Sequence, residues 1–275
     1  MIDTYIINLQ EEIQNYNNVK NLLLKKNFKN IYRFNAIYGK KIDNLDYYDK
    51  YLYKFFKYLG PYGAIGSALS HYILLETIYN NTLKHNNKDL LNNYVLILED
   101  DIIPNYDYKY LKKVIKNIPI DCDILILHSF EQFLFYKNKI NEEYILKNKL
   151  MLASPCCSYL IKINSIPKIL SRKIWSYFDA MHFNINFFYN NTNIYVYKKQ
   201  LFDTNYNISH NLKNNIIYKL LNKIFDYLNI PNILFFFLFK IFKIPILNYE
   251  LNSIDSIILT NIVIIIFIII SRFKT

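Results

Sequence analysis

The stretch Tyr94–Asp101, YVLILEDD, decides how the rest of this sequence is interpreted. Its apolar part is short and aliphatic, which is typical of a parallel strand buried on both faces. Three consecutive carboxylates follow, and in an open α/β sheet ligands bind at the carboxyl ends of the strands. Because neighbouring acids repel one another, a divalent cation bridging to a phosphate would stabilise them. A solvated acidic turn is the alternative interpretation.

Strands and helices are predicted to alternate along the rest of the chain. Apolar runs predict strands at residues 4–9, 31–37 and 124–127, and further short strands, some of them antiparallel, at 151–161 and 194–197. Amphipathic spacing predicts helices at residues 11–28, 44–58 and 67–81. This alternation predicts an α/β fold with a mixed, mostly parallel sheet.

Composition excludes several classes of protein. The chain has 275 residues and three cysteines without paired spacing, so neither a disulfide framework nor a structural zinc site is expected. Its net charge of +11 raises the question of nucleic acid. Lysine is spread evenly with asparagine, isoleucine and tyrosine, however, which indicates a bias of the coding sequence. We therefore expect no nucleic-acid partner.

Glycine is rare here, and Gly60, Gly63 and Gly66 account for three of the four glycines in the chain. Their spacing predicts a flexible turn before a helix, whose N-terminus suits a phosphate or carboxylate. The pattern is not the GxGxxG that follows a strand in dinucleotide-binding proteins, and a plain loop is the alternative. Ser70 and His71 lack the G-x-S-x-G setting of a nucleophile, so ligand binding or capping is favoured over nucleophilic catalysis.

Three segments, in this order and spacing, resemble glycosyltransferase family 25, which includes lipopolysaccharide and collagen galactosyltransferases. The first is YIINL at residues 5–9 with RFNAI at 33–37 and Gly39. The second is GAIGSALSH at residues 63–71, and the third is VLILEDDI at residues 95–102. The likeness extends more weakly to about residue 210. It implies an inverting transferase of GT-A-like fold that uses a nucleotide-sugar.

The resemblance also implies roles for individual residues. A Mn²⁺ or Mg²⁺ ion would bind Asp101 first, with Asp100 and His210 as further candidates, and would neutralise the leaving diphosphate of a UDP-sugar donor. Asp179, in an apolar setting, is the candidate catalytic base, with a helix N-cap as its alternative role. The candidate donor-binding residues are Asn8, Leu9, Ala36, Gly63, Gly66, Ser70, His71, Glu99 and Asp100. The acceptor would be a glycan, a lipid-linked glycan or a glycoprotein.

The C-terminal part of the chain has a different character. Residues 1–212 are predicted to form the transferase domain and residues 213–230 a connecting helix. Residues 231–247, with two lysines among phenylalanines, predict an interfacial amphipathic segment, and the isoleucine-rich residues 254–273 predict a transmembrane anchor. Without a signal peptide, the catalytic domain is expected to face the cytosol at a membrane surface.

Two departures from the family pattern keep other functions open. Residues 10–18 lack the arginines usual after the first Asn-Leu, and residues 154–157 replace a glycine-rich stretch. A catalytically lapsed, membrane-anchored binding protein of the same fold is therefore the main alternative. A metal-dependent phosphoesterase or nuclease is disfavoured, because the chain lacks the several separated acids and histidines of a two-metal site.

Overall fold

A computed structural model of the chain describes residues 2–84, 88–128, 144–146, 157–175, 178, 192–205, 240–244 and 249–252. Within these residues the strands are β1 Thr4–Asn8, β2 Ile31–Asn35, β3 Tyr94–Glu99, β4 Ile102–Pro104, β5 Ile124–Ile126, β6 Tyr144–Leu146, β7 Ser158–Lys162, β8 Ile194–Tyr197, β9 Phe202–Thr204, β10 Lys240–Ile244 and β11 Tyr249–Asn252. The α-helices are α1 Ile13–Lys25, α2 Lys54–Leu59, α3 Tyr62–Lys84, α4 Tyr108–Lys116 and α5 Ile166–Leu170.

One mixed sheet organises the described residues, in the order β2-β1-β3-β7-β5-β8-β6. Strands β1, β2, β3, β5 and β8 run in one direction, and β6 and β7 run against them. The mixed, mostly parallel sheet predicted from sequence is thereby confirmed. The carboxyl ends of β1, β2 and β3 lie side by side at one edge, since Asn8 pairs with Asn35 and Ile7 pairs with Glu99.

Strand β3 is buried on both faces, as its aliphatic run predicts. Val95 and Ile97 pack into the hydrophobic cluster that contains α3 and α5. Leu96 and Leu98 pack into the opposite cluster, with α1 and α4. Because neither face of β3 meets solvent, its position is fixed, and so is the position of the acids that follow it.

The predicted helix over residues 44–58 is wrong. A 3₁₀ helix at Leu45–Tyr48 and the short helix α2 replace it, and a turn followed by the bridge residue Leu52 separates the two. The reason is a long-range contact, because Leu52 forms a β-bridge with Ile174 and the Tyr53 N–H donates to the Ile174 carbonyl at 2.9 Å. The Tyr53 N–H and the Tyr51 carbonyl both pair with Ile174, so a continuous helix cannot run through them.

The prediction of a flexible turn is also wrong for Gly63 and Gly66, because both lie inside helix α3. This helix begins at Tyr62, directly after Pro61, instead of at the predicted Ser67. The Ile65 N–H donates to the Pro61 carbonyl at 3.0 Å, so helical hydrogen bonding already includes the glycine segment. Proline suits the start of a helix because its missing N–H has no partner there in any case.

The C-terminal prediction of membrane-associated helices is not supported. Residues 240–244 of the predicted interfacial segment form β10, which pairs antiparallel with β11. Within the part of the chain that the structure describes, no helix is long and apolar enough to cross a membrane. The predicted connecting helix at 213–230 and the predicted anchor at 254–273 lie outside the described residues.

Candidate functional site

A cleft opens where the parallel strands β1, β2 and β3 end. It contains about 990 Å³ of empty space, continuous with solvent, between this edge of the sheet and the N-terminal part of α3. Among the predicted site residues, the structure brings together at this cleft Leu9, Ala36, Gly63, Ser70, His71, Glu99, Asp100 and Asp101. Asn8 lies directly beneath it, at the end of β1. The sheet-edge position predicted for the acids is therefore where the cleft is found.

Asn8 links the first strand to the acids. Its Nδ2 donates to Asp100 Oδ2 at 2.6 Å and to the Glu12 carbonyl at 2.8 Å. Its Oδ1 accepts from Arg33 Nε at 2.8 Å. Arg33, on β2, also donates to the Leu9 carbonyl at 3.3 Å, and its guanidinium lies 5.6 Å from the ring centre of Tyr16. The amide of Asn8 is therefore fixed in orientation from both sides.

The electrostatics of the acids favour a bound cation. Burial, reinforced by the charge of Glu99, raises the pKa of Asp100 to about 6, and the hydrogen bond from Asn8 opposes this rise. Burial raises the pKa of Asp101 well above its usual range, with repulsion from Glu99 and Asp100 as the further causes. Asp101 Oδ1 is buried and has no hydrogen-bond partner among the described residues. An orphaned buried carboxylate oxygen is costly unless a ligand compensates it.

The donor set fits a magnesium-type ion better than a closed metal cage. No group of three or more His, Cys, Asp or Glu residues is arranged to hold a metal in the described part of the chain. Mg²⁺ and similar ions, however, are often held by one or two carboxylates together with substrate phosphates. Asp101 and Asp100 supply such a pair. His210 and Asp179 lie outside the described residues, although the neighbouring Phe178 stacks on His71 at 4.4 Å.

Helix α3 forms the second wall of the cleft through an unusually close backbone contact. A Cβ added at Gly66 would lie 2.5 Å from the Ile37 carbonyl oxygen and 2.6 Å from the Gly39 nitrogen. Ser70, one turn later, donates to the Gly66 carbonyl at 2.6 Å and accepts from the Ile37 N–H at 2.8 Å. Gly66 and Ser70 thus fix the loop after β2, and both hydrogen bonds of the Ser70 hydroxyl lie within the protein.

The buried side chain of His71 contacts Glu99. The imidazole is 1% exposed, its Nδ1 lies 2.9 Å from the Tyr159 hydroxyl, and its Nε2 lies 3.5 Å from Glu99 Oε1. The ring of Phe178 stacks on the imidazole, with the two centroids 4.4 Å apart. His71 is therefore placed to orient Glu99 at the cleft and has no contact with Ser70 that would activate a nucleophile.

Sequence reasoning missed a second polar group at the same edge. His128 follows β5, is fully buried, and lies with Nδ1 2.8 Å from the Phe202 carbonyl and 2.9 Å from Gln200 Nε2. Burial lowers the pKa of His128. The same Gln200 nitrogen donates to Asp203 Oδ1 at 3.1 Å. The sequence does contain a signal for this residue, because His128 directly follows an aliphatic run, as Glu99 does.

Comparisons with known proteins identify the family of this chain. The model of glycosyltransferase family 25 (LPS biosynthesis protein) matches residues 1–226. No curated protein matches the chain. Among solved structures, A197 from STIV aligns at 12% identity over 71% of this chain and 81% of that chain, with a TM-score of 0.33. Because the family model matches most of its length, the chain belongs to glycosyltransferase family 25.

Proposed function

We propose that the protein transfers galactose or glucose from a UDP-sugar, with inversion, to a hydroxyl of a glycan, a lipid-linked glycan or a glycoprotein. One observation carries the proposal. Asp101 presents a buried carboxylate oxygen without a partner among the described residues, beside Asp100, at the carboxyl edge of the sheet and in the cleft. Such a carboxylate is stabilised by a cation that also binds a diphosphate.

The proposed ion is Mn²⁺ or Mg²⁺, held by Asp101 and Asp100, with His210 as a further candidate ligand. When bound, it would neutralise the charge that develops on the leaving diphosphate. The residues of the chain prepare this site, since Asn8 orients Asp100 and His71 supports Glu99. Lys40, exposed at the cleft, is placed to attract the diphosphate. Asp179 remains the proposed base for the acceptor hydroxyl.

One argument for the alternative function, a catalytically lapsed binding protein of the same fold, is weakened. It rested partly on the missing arginines of residues 10–18, yet Arg33 reaches the Leu9 carbonyl from β2 and places a guanidinium beside that segment. A different part of the sequence therefore supplies a cation next to this segment, although Arg33 does not itself line the cleft. The transferase proposal is preferred for this reason.

The test uses the full-length chain with a panel of radiolabelled UDP-hexoses, with and without Mn²⁺. We expect slow donor hydrolysis, or transfer to a glycan acceptor, that depends on the ion and is lost in Asp101→Asn. The matched control is Asp43→Asn, an exposed acid outside the cleft lining. UDP binding without turnover for any donor would support the lapsed protein instead. Turnover unaffected by metal removal would contradict the metal assignment.

We also propose that residues 254–273 attach the protein to a membrane, with the catalytic domain on the cytosolic side. Its support is the near-continuous isoleucine run, whose length approaches that of a spanning helix. Fractionation of the full-length protein tests it. Recovery in the soluble fraction without detergent would contradict it.

A further inference from the structure

A second groove lies on the side of α2, outside the cleft. Its floor is Leu52, which is 2% exposed, and its empty space is about 1480 Å³, open to solvent. Its walls are held together by the bridge between the segment before α2 and the segment after α5, where Ile174 N–H donates to the Tyr51 carbonyl at 2.6 Å. The groove is therefore built from paired backbone and is not a gap between loose loops.

Two aromatic rings line this groove and face solvent. Tyr53 is 47% exposed and Phe55 is 45% exposed, and their rings lie roughly parallel, with centroids 6.1 Å apart and planes inclined by 27°. Exposed rings in a groove offer flat, apolar faces with negative π-density. Such faces suit the C–H faces of sugar rings, whose hydroxyl groups can stay in water at the groove edges.

The charge of the groove is positive. Among its described lining residues the cations are Lys54, Arg172 and Lys173, and the acid is Asp49. The carboxylate of Asp49 is already paired with Lys57 Nζ at 2.7 Å. Lys173 is held at the groove by a 2.8 Å hydrogen bond from its Nζ to the Asp49 carbonyl. A ligand with carboxylate or phosphate groups therefore complements this surface.

We propose that the groove binds an anionic oligosaccharide, with sugar rings on Tyr53 and Phe55 and acid groups beside Lys54 and Lys173. This inference rests on the proposed function, since the oligosaccharide is assigned as the acceptor. Phe55 and Gly63 are eight residues apart in the chain, so the groove lies at most about 28 Å from the cleft. A bound oligosaccharide can bridge that distance and present its end to the donor.

The test measures binding of tetragalacturonate to the full-length protein by calorimetry, with its methyl ester as the uncharged counterpart. The double variant Tyr53→Ala/Phe55→Ala should weaken binding about tenfold, since each ring contributes an aromatic contact. Lys54→Gln should weaken it about threefold, and this loss should shrink at high salt. The controls are Tyr47→Ala and Lys113→Gln, both exposed and outside the groove lining, which should bind normally.

Several outcomes would overturn the inference. Equal binding of the ester would remove the role of charge, and unchanged affinity in the double variant would place the ligand elsewhere. Binding of inorganic phosphate or of anionic phospholipid vesicles to the groove, without binding of the oligosaccharide, would identify a phosphate or lipid site instead. UDP binding with Mn²⁺ is measured in parallel. If the protein binds the oligosaccharide but not UDP with Mn²⁺, the proposed function is refuted. If it binds UDP with Mn²⁺ but not the oligosaccharide, this inference is refuted.

Discussion

The substitution Asp100→Asn tests whether the acids of the cleft destabilise the metal-free protein. The pKa of Asp100 is raised from 3.8 to about 6, chiefly by burial. Since one pKa unit corresponds to about 1.4 kcal/mol, ionised Asp100 lowers the free energy of unfolding at pH 7 by about 3 kcal/mol. An asparagine of the same shape removes this cost, and its side-chain oxygen can still accept the hydrogen bond from Asn8.

The sign follows from proton linkage. Because the folded state holds its proton more tightly, it binds more protons than the unfolded state between about pH 4 and pH 6. Stability of the wild type should therefore fall as the pH rises through this window and level off above it. The variant should lack this contribution and be more stable at pH 7, by up to about 3 kcal/mol, or several degrees in Tm.

The assay is urea unfolding of the full-length protein in one detergent buffer from pH 4 to pH 8, with a chelator present. Asp43→Asn, at an exposed position, serves as the control and should retain the wild-type pH dependence. Addition of Mn²⁺ with UDP should stabilise the wild type more than Asp100→Asn. A variant that is less stable than the wild type at pH 7, or that keeps the same slope between pH 4 and pH 6, would refute the reasoning.

Four further predictions follow from the same contacts. Asp101→Ala should abolish metal-dependent turnover while stability stays level or rises, and wild-type turnover with unchanged metal dependence would remove the ligand assignment. Gly66→Ala should lower the free energy of unfolding by about 1–3 kcal/mol, because its Cβ meets the backbone of Ile37 and Gly39. Gly63→Ala, at an exposed position, should change UDP affinity more than stability. Denaturation measures the first effect and calorimetry with UDP measures the second. Arg33→Lys should weaken Mn²⁺–UDP binding several-fold, and equal affinity would make the arginine dispensable. Deletion of residues 254–273 should move the protein from the membrane fraction to the soluble fraction.

The sequence predicted the acid-bearing edge well because its signals are local. A continuous aliphatic run indicates a strand buried on both faces, and the residue that ends such a run lies at the sheet edge whatever the rest of the chain does. Residues 94–99 form a strand for this reason. His128 could have been identified by the same rule, since it follows an aliphatic run at residues 124–127.

The errors arose where distant contacts override local preference. The segment around Leu52 has helical spacing, but its pairing with Ile174 in the fold determines its backbone. Gly66 is predicted from sequence to lie in a flexible turn, because a sequence does not show that the Gly39 backbone packs against it inside a helix. Glycine permits both a flexible turn and a close helix contact, and only the tertiary arrangement distinguishes these two uses.

The contacts of Arg33 place a guanidinium next to residues 10–18, which themselves contain no arginine. Arg33 donates to Asn8 Oδ1, which leaves the Nδ2 of Asn8 to face Asp100. A reversed amide would place its oxygen against a carboxylate and its N–H groups against a guanidinium, and both contacts are repulsive. Arg33 therefore determines the orientation of the group that holds Asp100, although it does not touch the acid itself. In the proposed metal site, its effect on an ion at Asp100 would be transmitted through the side chain of Asn8, so loss of the guanidinium should weaken ion binding before it weakens the sheet.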